Sequence, residues 1–184
     1  MKITISILII LVFTVCAFGQ AKKPPASKYV QVSATDDGFT SELLPMPIGM
    51  SPNLSDAKIG IKYFGAQNES ETDVSFVLIL KGTKNRYSGN VNFGVKAFSD
   101  TTPLSRNKYR MVQSVQKDNG GETLKFALTT EEVAWLATGS SVKFEIYNHD
   151  TDKKYDTVSF TTTGFAEYKM FVKSVLLIRS FYSK

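Results

Sequence analysis

Residues 122–147 read ETLKFALTTEEVAWLATGSSVKFEIY and carry the clearest structural signal in the chain. Apolar residues alternate with polar or small ones in LKFAL near the start and in VKFEIY at the end, which is the period of strands with one buried face. Between them, TTEE matches the capping box that begins an α-helix, and Gly139 stands where a short helix would end. The stretch therefore predicts a strand, a short helix over about 130–138, and a second strand.

Similar strand patterns recur on both sides of this unit, separated by turns rich in Gly, Asn, Asp and Pro. Residues 74–80, VSFVLIL, are almost continuously apolar, which is typical of a central strand. Residues 45–54 contain three prolines, and because proline removes a hydrogen-bond donor they predict an irregular crossing loop or a sheet edge. The chain is thus predicted to be mainly β, with about eight or nine strands in an antiparallel two-sheet β-sandwich.

The C-terminal segment changes from the period of a strand to that of a helix. Its apolar residues fall on one helical stripe, which predicts a helix over about 164–180. Such a helix would close the domain by covering one sheet face or one end of it. The stripe consists of Phe165, Tyr168, Phe171, Val172, Val175 and Ile178.

The N-terminal residues have the features of an export signal. Lys2 gives a positive start, an apolar run follows, and the cleavage site is the small-x-small motif AFG. The run is shorter than the roughly 20 apolar residues that a membrane span needs. We predict a signal peptide over 1–19, a flexible leader over 20–28 and a single β-sandwich domain over 29–184. No membrane span is expected after cleavage, and the protein should be periplasmic or secreted.

Composition excludes several kinds of site. Cys16, the only cysteine, lies inside the predicted signal, and Val15 is not the small residue that lipid attachment at Cys16 would require. Cleavage leaves no disulfide and no sulfur ligand, and an exported chain without disulfides favours a bacterial envelope. The formal charge falls from +5 to +4 with the loss of Lys2. This modest excess is spread along the chain, so we predict no nucleic-acid binding.

The order of these elements resembles uncharacterised β-sandwich domains of exported bacterial proteins. The resemblance rests on the hydrophobic strand 74–80 and on the block 122–146, with its LTxEE-type helix cap and V-x-F-x-I strand. It extends to the overall order of elements from residue 59 to residue 175. The resemblance implies the sandwich architecture and a location in the envelope, and it implies no catalytic activity.

The polar residues match no catalytic or metal-binding motif. His149, the only histidine, lies in a polar segment predicted as a hairpin tip, and the chain has no G-x-S-x-G elbow. Asp150 and Asp152 have the spacing of the first two ligands in a calcium-binding loop, but a lysine stands at the next ligand position. Glu131 and Glu132 are explained by the helix cap, where negative charge complements the helix dipole. We predict no catalytic residue, no metal site and no cofactor.

Aromatic residues are the candidates for binding. Trp135, the only tryptophan, lies about 160° from Val133 on a helical wheel, so it points away from the core if Val133 faces it. Its ring would be covered either by the rest of the chain or by a partner. A carbohydrate-binding module would instead use a row of exposed rings on one sheet face. The candidates for such a row are Tyr63, Tyr87, Phe93 and Tyr155.

These observations predict an exported envelope protein that acts as a non-catalytic binding or structural module. Its partner would be a protein or a polysaccharide of the envelope, bound through a sheet edge or through the surface around Trp135. Two alternatives stay open. One is a hydrolase acting on an envelope polymer, which needs converging carboxylates in a deep cleft, and the other is a carbohydrate-binding module.

Overall fold

The structure, a computed structural model, describes residues 27–50, 54–66, 73–82, 87, 92–104, 110–118 and 121–182. The strands are β1 (Val30–Ala34), β2 (Gly38–Pro47), β3 (Leu54–Ala66), β4 (Asp73–Gly82), β5 (Phe93–Ser99), β6 (Thr102–Pro103), β7 (Arg110–Met111), β8 (Ser114–Asp118), β9 (Gly121–Thr129), β10 (Val142–Asn148) and β11 (Lys153–Ser159). The helices are α1 (Thr130–Leu136), between β9 and β10, and α2 (Thr162–Tyr182), after β11.

The strands form two antiparallel sheets. The six-stranded sheet has the order β1-β2-β3-β4-β9-β8, and the five-stranded sheet has the order β11-β10-β5-β6, with β7 also paired to β5. The predicted mainly β chain with two antiparallel sheets and two helices is therefore confirmed. The eleven strands of the described residues exceed the predicted eight or nine, and two of them, β6 and β7, are only two residues long.

The unit predicted from residues 122–147 is present as β9, α1 and β10. Thr129 caps α1 as predicted: its hydroxyl accepts from the Glu132 N–H at 3.3 Å, and the Glu132 carboxylate accepts from the Thr129 N–H at 2.9 Å. The helix ends two residues earlier than predicted, with Ala137 as a right-handed C-cap at φ −76°, so the left-handed cap at Gly139 was wrong. A Cβ at Gly139 would lie 2.4 Å from the Ser99 hydroxyl oxygen, so any other residue there would force Ser99 or the turn to shift.

The proline segment was predicted to be either a crossing loop or a sheet edge, and its first part is an edge, because the described part of β2 beyond Leu44 pairs with β3 alone. β2 continues through Pro45 and pairs with β3 beyond it, with a register shift just before Met46. Such shifts are among the few places where a paired strand tolerates proline. Met46 and Ile48 then turn into the core, where they are 3% and 5% exposed. Residues 51–53 of the predicted loop lie outside the described part of the chain.

The inner faces of the two sheets meet in an aromatic core. Phe76 of β4 stacks on Phe126 of β9 with ring centroids 5.0 Å apart. Both rings contact Phe144 of β10 edge-on, at 5.7 and 5.6 Å. The five-stranded sheet thus lies over the β4–β9 half of the six-stranded sheet.

The helix α2 covers the other half, over β2 and β3. Its six predicted stripe residues are buried, and it runs for 21 residues, past the predicted range of about 164–180 at both ends. Ile178 packs so closely on Gly65 of β3 that a Cβ at that glycine would lie 2.7 Å from its methyl group. Ser174 hydrogen-bonds Ser41 of β2, and Phe181 stacks on Phe39.

Residues 1–26 lie outside the described part of the chain, so the signal peptide and most of the leader stay predictions. The single domain over 29–184 is likewise a prediction. Of the helices in the described part, neither combines the length and the apolar character needed to cross a membrane.

Candidate functional site

The aromatic residues predicted as an exposed row lie mostly in the interior. Tyr63 is 3% exposed on the face of β3 beneath α2, and Tyr87 is 1% exposed. Tyr87, Phe93 and the half-buried Tyr155 do come together, with ring centroids 5.1–6.3 Å apart. They form part of the core, because Phe93 belongs to the inward phase of β5 and Tyr155, the extra residue at a register shift in β11, packs against it. Rings packed in this way offer no open row to a sugar.

Tyr87 also connects two buried carboxylates. Its N–H donates to both oxygens of Glu122 at 3.1 Å, and its hydroxyl donates to Asp156. Glu122 of β9 is 4% exposed and Asp156 of β11 is 2% exposed. A hydrolase would need its acids open to a polymer, whereas these two bind a residue from the segment between β4 and β5. The arrangement ties Tyr87 to both sheets.

Trp135 is partly covered by the chain itself. It is half-buried and packs against the hydrophobic core. Its helix, α1, is fixed beside α2 by a hydrogen bond of 2.8 Å from the Tyr168 hydroxyl to the Val133 carbonyl and by an ion pair between Arg179 and Glu131. The surface around Trp135 is thus one flank of a packed helix pair.

The polar turn between β10 and β11 brings His149 close to Asp150. The His149 Nδ1 lies 3.9 Å from an oxygen of Asp150, and both side chains are about half exposed. Asp152 adopts a left-handed φ of 53°, as a tight turn requires. Across the described residues, no three or more His, Cys, Asp or Glu side chains are grouped to hold a metal ion.

The outward phase of the five-stranded sheet carries lysines and aromatic rings. In β10, the residues facing solvent alternate with the buried Val142, Phe144 and Ile146. Strand pairing places Lys143 opposite Phe98 of β5, and Tyr147 opposite Lys154 of β11. We call this surface the basic aromatic face. It consists of Lys96, Phe98, Lys143, Glu145, Tyr147 and Lys154.

Two of its lysines lie over aromatic rings. The Lys143 Nζ is 4.3 Å from the centroid of Phe98, and the Lys96 Nζ is 4.7 Å from that of Tyr147. Each such contact contributes about 0.5–1 kcal/mol at an exposed site. The contacts hold the ammonium groups close to the sheet, so their charges form a fixed array.

Glu145 lies at the centre of the array. Its carboxylate accepts from the Tyr147 hydroxyl at 2.6 Å and lies 3.1 Å from the Lys143 Nζ and 3.7 Å from the Lys154 Nζ. The Glu145 side chain is only 10% exposed, whereas that of Lys154 is 52% exposed. With Lys96, three lysines surround one carboxylate, which leaves a net charge of +2 on the face.

The pKa shifts follow from these contacts. Burial is the strongest single influence on Glu145 and would raise its pKa. The hydrogen bond from Tyr147 and the charges of Lys143 and Lys154 together outweigh burial, so the pKa of Glu145 lies below its ordinary value. Burial, and then the carboxylate of Glu145, raise the pKa of Tyr147 to about 12. At neutral pH, Tyr147 is therefore a neutral donor and Glu145 an ionised acceptor.

This arrangement suits a ligand that has both rings and negative charges. The exposed parts of the half-buried Phe98 and Tyr147 rings that the lysines leave uncovered supply apolar contact, and the lysines supply charge and hydrogen-bond donors. Neither Phe98 nor Tyr147 was predicted from the sequence as a binding residue. The alternation of the strands could have identified them, since Phe98 and Tyr147 fall among the polar positions, whereas the buried Phe93 falls among the apolar ones.

Comparisons with protein-family models, with curated proteins and with solved structures gave no match to this chain. The resemblance to exported β-sandwich domains stays a prediction, and the function has to be argued from the site.

Proposed function

We propose that the chain is an exported, non-catalytic binding module of the bacterial envelope, and that its basic aromatic face binds an anionic polysaccharide. The observation that carries the proposal is the fixed array of lysines over Phe98 and Tyr147. Rings of a sugar polymer would lie against the aromatic side chains while its carboxylates contact the lysines. The array holds only one acidic residue, Glu145, and its carboxylate is already bound by two of the lysines.

The two sheets are proposed to form a β-sandwich that serves as the scaffold for this face. Support comes from Phe144, which contacts Phe76 and Phe126 of the opposite sheet. A face built on paired strands positions side chains more rigidly than a loop does. The export signal and the envelope location rest on the sequence of residues 1–19.

Binding is favoured over hydrolysis because the buried acids are occupied. Glu122 and Asp156 both accept from Tyr87 and are nearly inaccessible to solvent. The acid of the basic aromatic face, Glu145, has a lowered pKa, whereas a general acid needs a raised one. Neither arrangement supplies the pair of accessible carboxylates that glycoside hydrolysis uses.

Affinity electrophoresis tests the proposal with two polymers, anionic polygalacturonate and neutral dextran. We expect polygalacturonate alone to retard the protein, and added salt to weaken the effect. The double variant Lys143→Gln, Lys154→Gln should bind about tenfold more weakly, which corresponds to about 1.4 kcal/mol. A matched control is Lys58→Gln, Lys62→Gln, which removes the same charge from the outer face of the six-stranded sheet.

Equal loss of affinity in the two double variants would show that only net charge matters, and would overturn the assignment to this face. Equal retardation by dextran and polygalacturonate would overturn the anionic specificity. Absence of retardation by polygalacturonate would overturn the proposed ligand class.

A further inference from the structure

The strand β1 is a sheet edge that carries neither a charged residue nor a proline. In the described residues it lies at one end of the six-stranded sheet, and the other sheet edges are formed by β8, β11 and the short strands β6 and β7. Those strands contain lysine, arginine, aspartate or proline, whereas β1 reads VQVSA. Charge and proline are the usual means by which an edge is kept from adding another strand.

The hydrogen-bond pattern shows which groups of β1 face outward. The Leu44 N–H donates to the Tyr29 carbonyl and the Thr35 N–H donates to the Gly38 carbonyl, both at 2.8 Å. Odd-numbered residues of β1 therefore bond to β2, so the main-chain groups of Val30, Val32 and Ala34 point away from the sheet. The Val30 N–H is already taken by the Ser27 hydroxyl at 2.8 Å.

An apolar flank lies beside this edge. Val32 shares the face of its partner Ser41, which bonds Ser174 of α2, yet Val32 is 54% exposed. Leu177 follows Ser174 by one helical turn and precedes Phe181 by another, so it lies on the flank of α2 that faces β1. Leu177 and Phe181 are 53% and 51% exposed. We call Val32, Leu177 and Phe181 the edge patch.

We propose that the occupant of this edge is a second copy of the chain. Two β1 strands pair antiparallel about a two-fold axis at Val32, so that Val32 lies opposite Val32 of the second copy and Val30 opposite Ala34. The N–H groups of Val32 and Ala34 in each copy donate to the carbonyls of Val32 and Val30 in the other. The result is a continuous twelve-stranded sheet with two edge patches packed against each other.

Charge complementarity supports this orientation. In the two-fold register, the exposed Lys28 at the start of β1 faces the exposed Asp36, in the turn after β1 of the second copy. A parallel pairing would instead place Lys28 beside Lys28. Within one chain Lys28 and Asp36 flank opposite ends of β1, roughly 25 Å apart along an extended strand, so they do not contact each other. The dimer leaves the basic aromatic face open, because that face belongs to the other sheet.

Sedimentation velocity over a range of concentrations tests the dimer, using the protein exported by a bacterial host and purified as the cell processes it. We expect the mass to double with rising concentration. Val32→Lys and Leu177→Lys should each weaken dimerisation by about tenfold or more. The matched control is Leu176→Lys, at a residue of the same helix that is 44% exposed but lies on its other flank. Circular dichroism checks that each variant is folded.

A charge exchange identifies the register even if the lysine variants misfold. Lys28→Asp alone and Asp36→Lys alone should both weaken the dimer, and the double variant should restore it. A protein that is monomeric at every concentration overturns the proposal, as does a dimer unaffected by the edge-patch variants. Failure of the double variant to restore the dimer overturns the antiparallel register, and capture of a different envelope protein by a monomeric chain overturns the choice of occupant.

Discussion

Two pairs of tyrosine and carboxylate lie on opposite sides of the five-stranded sheet. On the inner side, Tyr87 donates to Asp156 in a fully buried cluster. On the outer side, Tyr147 donates to Glu145 beside two lysines that reach solvent. The chemical groups are the same, but the inner pair holds Tyr87 in the core and the outer pair organises a charged surface. Burial and neighbouring charge, rather than residue type, separate the structural role of the inner pair from the binding role proposed for the outer pair.

The largest expected effect comes from removing the inner tyrosine. Tyr87→Ala leaves a cavity beside Phe93 and Tyr155 and removes the hydroxyl donor to the buried carboxylate of Asp156, so it should lower the free energy of unfolding by about 3–5 kcal/mol. Tyr147→Ala, at the outer face, should lower it by about 1 kcal/mol. Urea unfolding followed by circular dichroism measures both. Equal losses of unfolding free energy in the two variants would contradict the assignment of a structural role to Tyr87 and a surface role to Tyr147.

A smaller effect concerns the acid side of the pH range. Because the pKa of Glu145 is depressed below 4.5, its contribution to stability is present above that pH and is lost as the pH falls through the pKa of the folded protein. The thermal midpoint of Glu145→Gln should therefore fall less between pH 7 and pH 3 than that of the wild type. Glu42→Gln, on the outer face of the other sheet, controls for the substitution itself. Identical pH dependence in the wild type and Glu145→Gln would refute the role of the carboxylate.

The sequence predicted the fold best where one pattern determined one element. The capping box at Thr129 and the apolar stripe of α2 both appear as predicted, because the cap forms between residues 129 and 132 and the stripe follows from the helical repeat. The course of β2 past Pro45 was not predictable, since the register shift that admits the proline depends on its pairing with β3. Gly139 was misread for a similar reason: the close approach of Ser99 comes from a strand distant in sequence.

The candidate site was harder to predict than the fold. Alternation in VKFEIY separates two faces of β10, but it does not say which face another sheet covers. Tyr87 looked exposed in its polar loop, and only the tertiary contacts with Glu122 and Asp156 bury it. Phe98 and Tyr147 become a surface only when β5 and β10 pair in the observed register, which places lysines beside both rings.

The alkaline side of the pH range gives the smallest and most local effect. The pKa of Tyr147 is raised from 10.0 to about 12, so the folded state holds this proton more tightly than the unfolded chain does. Its contribution to stability is therefore full below pH 10 and is lost as the pH rises towards 12. Tyr147→Phe should reduce the fall in thermal midpoint over this window, and its absorbance at the tyrosinate band should show one late-titrating group fewer.

Because burial and the carboxylate of Glu145 both raise this pKa, Glu145→Gln should move the titration of Tyr147 part of the way back towards 10. An unchanged titration in Glu145→Gln would mean that burial alone holds the proton, and that the outer pair is not electrostatically coupled.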